Sequence, residues 1–128
     1  CRGAQLINVH AGGTLVGDLR LHRVHTSNRG TLLPRKHVRL DPGSTLADFI
    51  GGESTRVNSL HHQAVDRTGD GLAVAAWDRD DIVQGIESTA GHLRIGVQWH
   101  PEYLPQRADQ RRLFRYFVDA CRSLTASA

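Results

Sequence analysis

Hydrophobic positions along the chain fall into short runs with two different periods. In residues 2–11, RGAQLINVHA, the apolar positions Ala4, Leu6, Ile7 and Val9 recur at helical spacing, and Gly12-Gly13 stops the run. This predicts an N-terminal helix. From Gln106 to Leu124, the positions Leu113, Phe114, Phe117, Val118 and Cys121 keep the same spacing and predict an amphipathic C-terminal helix. Between them lie short segments rich in β-branched residues. HRVHT (22–26), KHVRL (36–40), TRVNS (55–59), LAVAAWD (72–78), IVQGIEST (82–89) and LRIGVQW (93–99) read as strands, with LAVAAWD paired to IVQGIEST. PGS is a turn that leads into TLADFIG, a short helix capped by Ser44 and ended by Gly51-Gly52. The run DRDD, Asp78 to Asp81, predicts a solvated hairpin turn. Trp77 and Trp99 are expected in the core, and His10, His22, His25, His37 and His92 on the surface or in strands. The class is α/β, with strands outnumbering helices.

Composition narrows the picture. The chain has 128 residues, 39% hydrophobic and 23% charged, which suits one ordered domain with its own core. The formal net charge is +3, and Lys36 is the only lysine. The arginines are scattered among acids with few aromatics, so no nucleic-acid partner is expected. No apolar run approaches the ~18–20 residues of a membrane span, so no membrane partner is expected either. The two cysteines, Cys1 and Cys121, can pair in an oxidising compartment but are too few for a disulfide scaffold. A reduced, cytoplasmic protein is the expectation.

Two places carry candidate chemistry. In GVQWHPE a strand runs into His100, and Pro101 cannot continue a central ladder. His100 and Glu102 then sit at the strand's C-terminal edge with side chains able to lean the same way. A carboxylate beside an imidazole fixes its tautomer; an exposed loop pair is the other reading. Cys1 opens the chain just before the predicted helix, where the helix N-terminus favours a thiolate and the next backbone N–H can face an oxyanion. A small buried residue is the alternative. Taken together, Cys1, His100 and Glu102 make a coherent thiol hydrolase set, nucleophile, base and orienter. His61 and His62 point apart in a strand and match no zinc spacing, so no metal or other cofactor is expected.

CRGAQLINVHAGGTL, VNSLHHQAV and GVQWHPE, in this order, resemble the gamma-glutamyl-gamma-aminobutyrate hydrolase family of class I glutamine amidotransferase-like proteins. HVRLDPGSTLADFIG fits the same family, and the resemblance runs from Cys1 to the helix that contains LFRYF. It implies a flavodoxin-like class I glutamine amidotransferase fold, with residues 1–128 as the C-terminal part of a single domain. The chain would begin at the nucleophile elbow, with the N-terminal half absent. Cys1 would be the nucleophile, His100 the base, Glu102 its orienter, and the Arg2 backbone N–H one oxyanion donor. Gln5, Ser59 and His61 would bind substrate. The implied activity is hydrolysis of a γ-glutamyl amide, gamma-glutamyl-gamma-aminobutyrate, in putrescine breakdown. The implied partners are a small γ-glutamyl substrate and an N-terminal half or a second copy of the chain. The family's second oxyanion donor lies upstream of the cysteine, so this chain alone is expected to be weakly active or inactive. Alternatives are a non-catalytic fragment and a glutaminase that feeds ammonia to a synthetase.

Overall fold

The computed structural model describes residues 1–126. In chain order the elements are α1 (Arg2–His10), β1 (Leu15–Val16), β2 (Thr31–Leu40), α2 (Thr45–Ile50), β3 (Ser54–Ser59), β4 (Ala64–Val65), β5 (Leu72–Asp78), β6 (Val83–Ser88), β7 (Ile95–Val97) and α3 (Ala108–Ala126). Five strands form one sheet in the order β3-β2-β5-β6-β7, and β1 pairs with β4. Every pairing among the described residues is antiparallel.

α2 forms as its sequence dictates. The Ser44 hydroxyl accepts from the Ala47 N–H at 3.0 Å, and Gly51 closes the helix at φ 89°. The Glu87 carboxylate accepts from the N–H groups of Thr45 and Leu46, at 3.0 and 2.9 Å, where helix dipole and unpaired donors favour an anion. Leu46, Ala47, Phe49 and Ile50 of α2 then pack with Val38, Val57, Ala76, Trp99 and Leu113 in the main core. The Trp99 indole donates to Gln110 of α3 at 2.8 Å, and Gln110 donates to the Thr55 hydroxyl at 3.1 Å. These bonds satisfy the polar atoms that burial of Trp99 and Gln110 would otherwise strand. Of the apolar stripe on α3, only Leu113 is buried; Phe114, Phe117 and Val118 stay exposed.

α1 packs on β7 through a glycine. A Cβ on Gly96 would lie 2.8 Å from Ala4 Cα and 2.9 Å from Ala4 Cβ, closer than real contacts allow. The absent side chain therefore sets how near α1, and Cys1 at its start, come to the sheet. Ile7 of α1 and Ala11, its C-cap, pack against Val65, Leu72, Val83 and Ile86.

Several expectations are corrected. HRVHT is not a strand: the Asp80 carboxylate accepts from the N–H groups of Val24, His25 and Thr26 at 3.0, 2.6 and 3.0 Å, which takes donors a ladder would need. Asp78 is not solvated but buried, accepting from the N–H of Asp80 and Ile82 and from the Gln84 amide. Trp77 is only half-buried, with the Arg39 guanidinium 4.6 Å over its ring. β2 begins at Thr31 rather than Lys36, and its register with β3 slips between those residues, where Pro34 lacks an N–H. The last strand is shorter than LRIGVQW, spanning Ile95–Val97.

Gly96→Ala is expected to lower stability by about 1–3 kcal/mol through overpacking against α1. Gly3→Ala, on a helix face with nothing within 4 Å, should raise it slightly. Urea denaturation of both variants checks this; an unchanged Gly96→Ala midpoint would mean that α1 is not held at this contact.

Candidate active site

Cys1 is the N-cap residue of α1, so the backbone N–H of Arg2 is the first of the helix and has no intrahelical acceptor. Hydrogen bonds tie Cys1 to the end of β7. Its α-amino group donates to the Val97 carbonyl at 2.9 Å, and its sulfur accepts from the Gln98 amide at 3.1 Å. The Gln98 side-chain oxygen, Oε1, in turn accepts from the Gln5 amide at 3.3 Å. Gln5, one turn along α1 from Cys1, also donates to the Gln63 carbonyl at 3.1 Å. That same carbonyl meets His61 Nδ1 at 2.8 Å. A continuous chain of hydrogen bonds thus runs from the sulfur of Cys1 to His61.

His100 sits just past the end of β7, where Pro101 opens a 3-10 turn. Asn58, buried in β3, grips its backbone from both sides: His100 N–H donates to Asn58 Oδ1 and Asn58 Nδ2 donates to the His100 carbonyl, each at 2.8 Å. The His100 ring stacks on Tyr103, centroids 5.5 Å apart. Its Nδ1 meets Glu102 Oε1 at 2.7 Å. With Nδ1–H donated to that carboxylate, Nε2 carries the lone pair and is the basic atom. The imidazole side chain is 27% exposed, open enough to meet a substrate.

Electrostatics link the two halves of this edge. Burial resists ionisation of Glu102, but the His100 hydrogen bond, its own backbone N–H and the charges of His100 and the Cys1 ammonium hold its carboxyl below the usual value. Burial lowers the Cys1 amine, and Glu102 opposes that shift. The structure therefore links Cys1, Gln5 and His61 by hydrogen bonds and pairs His100 with Glu102; Cys1 makes no hydrogen bond to that pair among the described residues. Ser59 is buried at the end of β3 and makes no hydrogen bond to this group among the described residues; His61 is buried and His62 exposed, but both lie past β3 and not in the strand expected for them. Among the described residues no group of three or more His, Cys, Asp and Glu side chains could hold a metal ion. Cys1 and Cys121 are both free thiols.

Asn58, Gln98 and Tyr103 were not visible as site residues from spacing. Asn58 and Gln98 lie inside the motifs VNS and GVQWHPE, between apolar neighbours. A polar side chain on the buried face of a strand must find a partner, and that is the signal that could have singled them out.

Burial pushes the His61 imidazole down to about 4; its bond to the Gln63 carbonyl resists, while Arg23, the Cys1 ammonium and His62 add to the depression. An unfolded histidine titrates near 6.5. Above that value both states are neutral and stability is complete. As pH falls from about 6.5 to about 4 the unfolded chain takes up a proton that the folded chain refuses, so stability declines across that window and then levels off. Urea denaturation is expected to show a loss of about 2 kcal/mol between pH 7 and pH 5. The loss should vanish in His61→Gln; an equal loss in that variant would contradict the assignment.

Comparison with known proteins places this geometry. The Peptidase C26 family model matches residues 1–102. The chain is 41% identical over 123 residues to a Mycobacterium tuberculosis protein named provisionally as a glutamine amidotransferase, covering 94% of this chain and 38% of that one. It is 31% identical over 131 residues to the gamma-glutamyl-gamma-aminobutyrate hydrolase PuuD of Escherichia coli, covering 94% of this chain and 52% of that one. The chain thus spans about half or less of the length of these curated relatives. A solved structure from Thermoplasma acidophilum, described provisionally as a GMP synthase component, shares the fold with a TM-score of 0.73 and 22% identity, over 98% of this chain and 57% of that one. The α/β class expected from the sequence is therefore the fold observed. The matched span takes in every residue from Cys1 to Glu102, and the chain belongs to the Peptidase C26 family of class I glutamine amidotransferase-like proteins.

Proposed function

We propose that this chain carries the reacting side chains of a γ-glutamyl amide hydrolase. The observation that supports it most is the His100–Glu102 pair, fixed by Asn58 at the end of the strand that also anchors Cys1. Cys1 Sγ attacks the γ-carbonyl carbon of the substrate as His100 Nε2 takes the thiol proton. The same proton passes to the leaving amine as the C–N bond breaks, which leaves a γ-glutamyl thioester. Water attacks the thioester with His100 again as base, the C–S bond breaks, and glutamate departs. Glu102 keeps Nδ1–H pointed away from the sulfur and steadies the imidazolium. The Arg2 N–H is one donor to the oxyanion. Gln5, Ser59 and His61 are assigned to the substrate pocket. These steps use no metal or cofactor.

The relative from Escherichia coli supports gamma-glutamyl-gamma-aminobutyrate as substrate, and the place in putrescine breakdown rests on the family resemblance alone. The relative from Mycobacterium tuberculosis, at higher identity, favours a second reading in which glutamine is the amide and ammonia the product. Leu6 and Val9 on α1 and Phe114, Phe117 and Val118 on α3 leave apolar faces uncovered. We assign them to contact with an N-terminal half or else with a second copy.

Glutamate release is the test, with gamma-glutamyl-gamma-aminobutyrate and glutamine assayed in parallel, with and without the N-terminal half of the Mycobacterium tuberculosis relative. Release only with both halves present is expected, fastest on the γ-aminobutyrate amide. It should be abolished by Cys1→Ala and reduced about 10²–10⁴-fold by His100→Ala. Faster release from glutamine would favour the second reading, and release that survives Cys1→Ala would overturn both.

A further inference from the structure

Away from Cys1, a cavity of about 540 Å³ opens between the 25–31 loop, β2 and the start of the β5–β6 turn. Arg29, Arg35, Lys36, Arg56, Arg79 and two histidines line it, and no acidic residue does. Cys1, Gln5, His100 and Glu102 take no part in its walls.

Two features make this more than a basic surface. First, Lys36 is held inside. Its side chain is only 7% exposed, and its ammonium has no hydrogen-bond partner. The nearest carboxylate oxygen, Asp78 Oδ2, is 3.9 Å away, and Asp78 already accepts from two backbone N–H groups and the Gln84 amide. A buried ammonium with unmet donors is costly unless negative charge offsets it. Second, the guanidinium groups of Arg29, Arg35, Arg56 and Arg79 make no hydrogen bond or ion pair with the described residues, whereas Arg20, Arg39 and Arg107 each bind a carboxylate. Unpaired cations crowded into one concavity repel each other and focus a positive potential.

We propose that this cavity is a binding site for a small phosphorylated molecule. Phosphate oxygens suit the arginine forks, and the Lys36 ammonium, buried behind the cavity wall, adds positive charge without touching the ligand. The volume is that of a small-ligand pocket. A nucleic-acid strand fits less well, because no Phe, Tyr or Trp lines the cavity to stack a base.

Isothermal titration calorimetry at fixed ionic strength tests this with three probes: pyrophosphate, ribose 5-phosphate and a short single-stranded oligonucleotide. Pyrophosphate or ribose 5-phosphate should bind at a single site and raise the Tm; the tighter of the two shows whether the ligand is an inorganic or an organic phosphate. Arg56→Gln should weaken binding at least about tenfold, the loss of one charge-assisted hydrogen bond, and Lys36→Met should weaken it by less, through the lost charge. Arg115→Gln, on α3 outside the cavity, should not. Arg56 is exposed, so that variant remains informative if Lys36→Met does not fold. No binding by either phosphate, an equal loss in Arg115→Gln, or tighter binding of the oligonucleotide would overturn the proposal. None of these readouts depends on hydrolytic activity.

Discussion

Gly96 has no side chain, and α1 occupies the space that one would fill. The backbone of Ala4 comes so close to β7 that a single methyl group at position 96 would push the helix away. That contact is the constraint on which the candidate site depends. It brings Cys1, the N-cap of α1, to the end of β7, where the Val97 carbonyl and the Gln98 amide receive it. Two residues further on, the same strand delivers His100. One short stretch, GVQWHPE, therefore seats the helix, contacts the sulfur and supplies the imidazole-carboxylate pair.

His100 is positioned by its backbone as much as by its side chain. Past the last ladder bond of β7 a residue is free to swing, and Pro101 offers no N–H to restrain it. Asn58 replaces the missing ladder by offering a side-chain amide that donates and accepts as a peptide group would. The ring then needs only Glu102 on one nitrogen and Tyr103 on its face to be fixed in direction. A buried amide serves better here than a charged group, because it costs little to desolvate once both its ends are bonded.

Much of this was legible in the sequence. α1, α2 with its Ser44 cap and the pairing of β5 with β6 all follow from local period and turn chemistry. What was not legible depended on distant partners. HRVHT has strand-like composition, but Asp80, 54 to 56 residues away, takes its N–H groups and holds it as a loop. Asp78 sits in a polar run that reads as solvated, yet it is drawn inward by the turn it organises. The stripe on α3 announces an apolar face but not what covers it. Cys1, His100 and Glu102 could be nominated from residue types and motif order, while Asn58 and Gln98 emerged only when the strands carrying them were laid side by side.

The central claim is that Cys1 is a nucleophile served by His100. Chemical reactivity addresses it directly, because Cys121 is an exposed free thiol on the same molecule and serves as an internal reference. The measurement is the rate of iodoacetamide alkylation at each cysteine at pH 7, followed by mass spectrometry of the peptides, in the wild type and in His100→Gln. The account predicts that Cys1 reacts faster than Cys121 and loses that advantage in His100→Gln. Equal rates at the two thiols, or an advantage that survives the loss of His100, would contradict it.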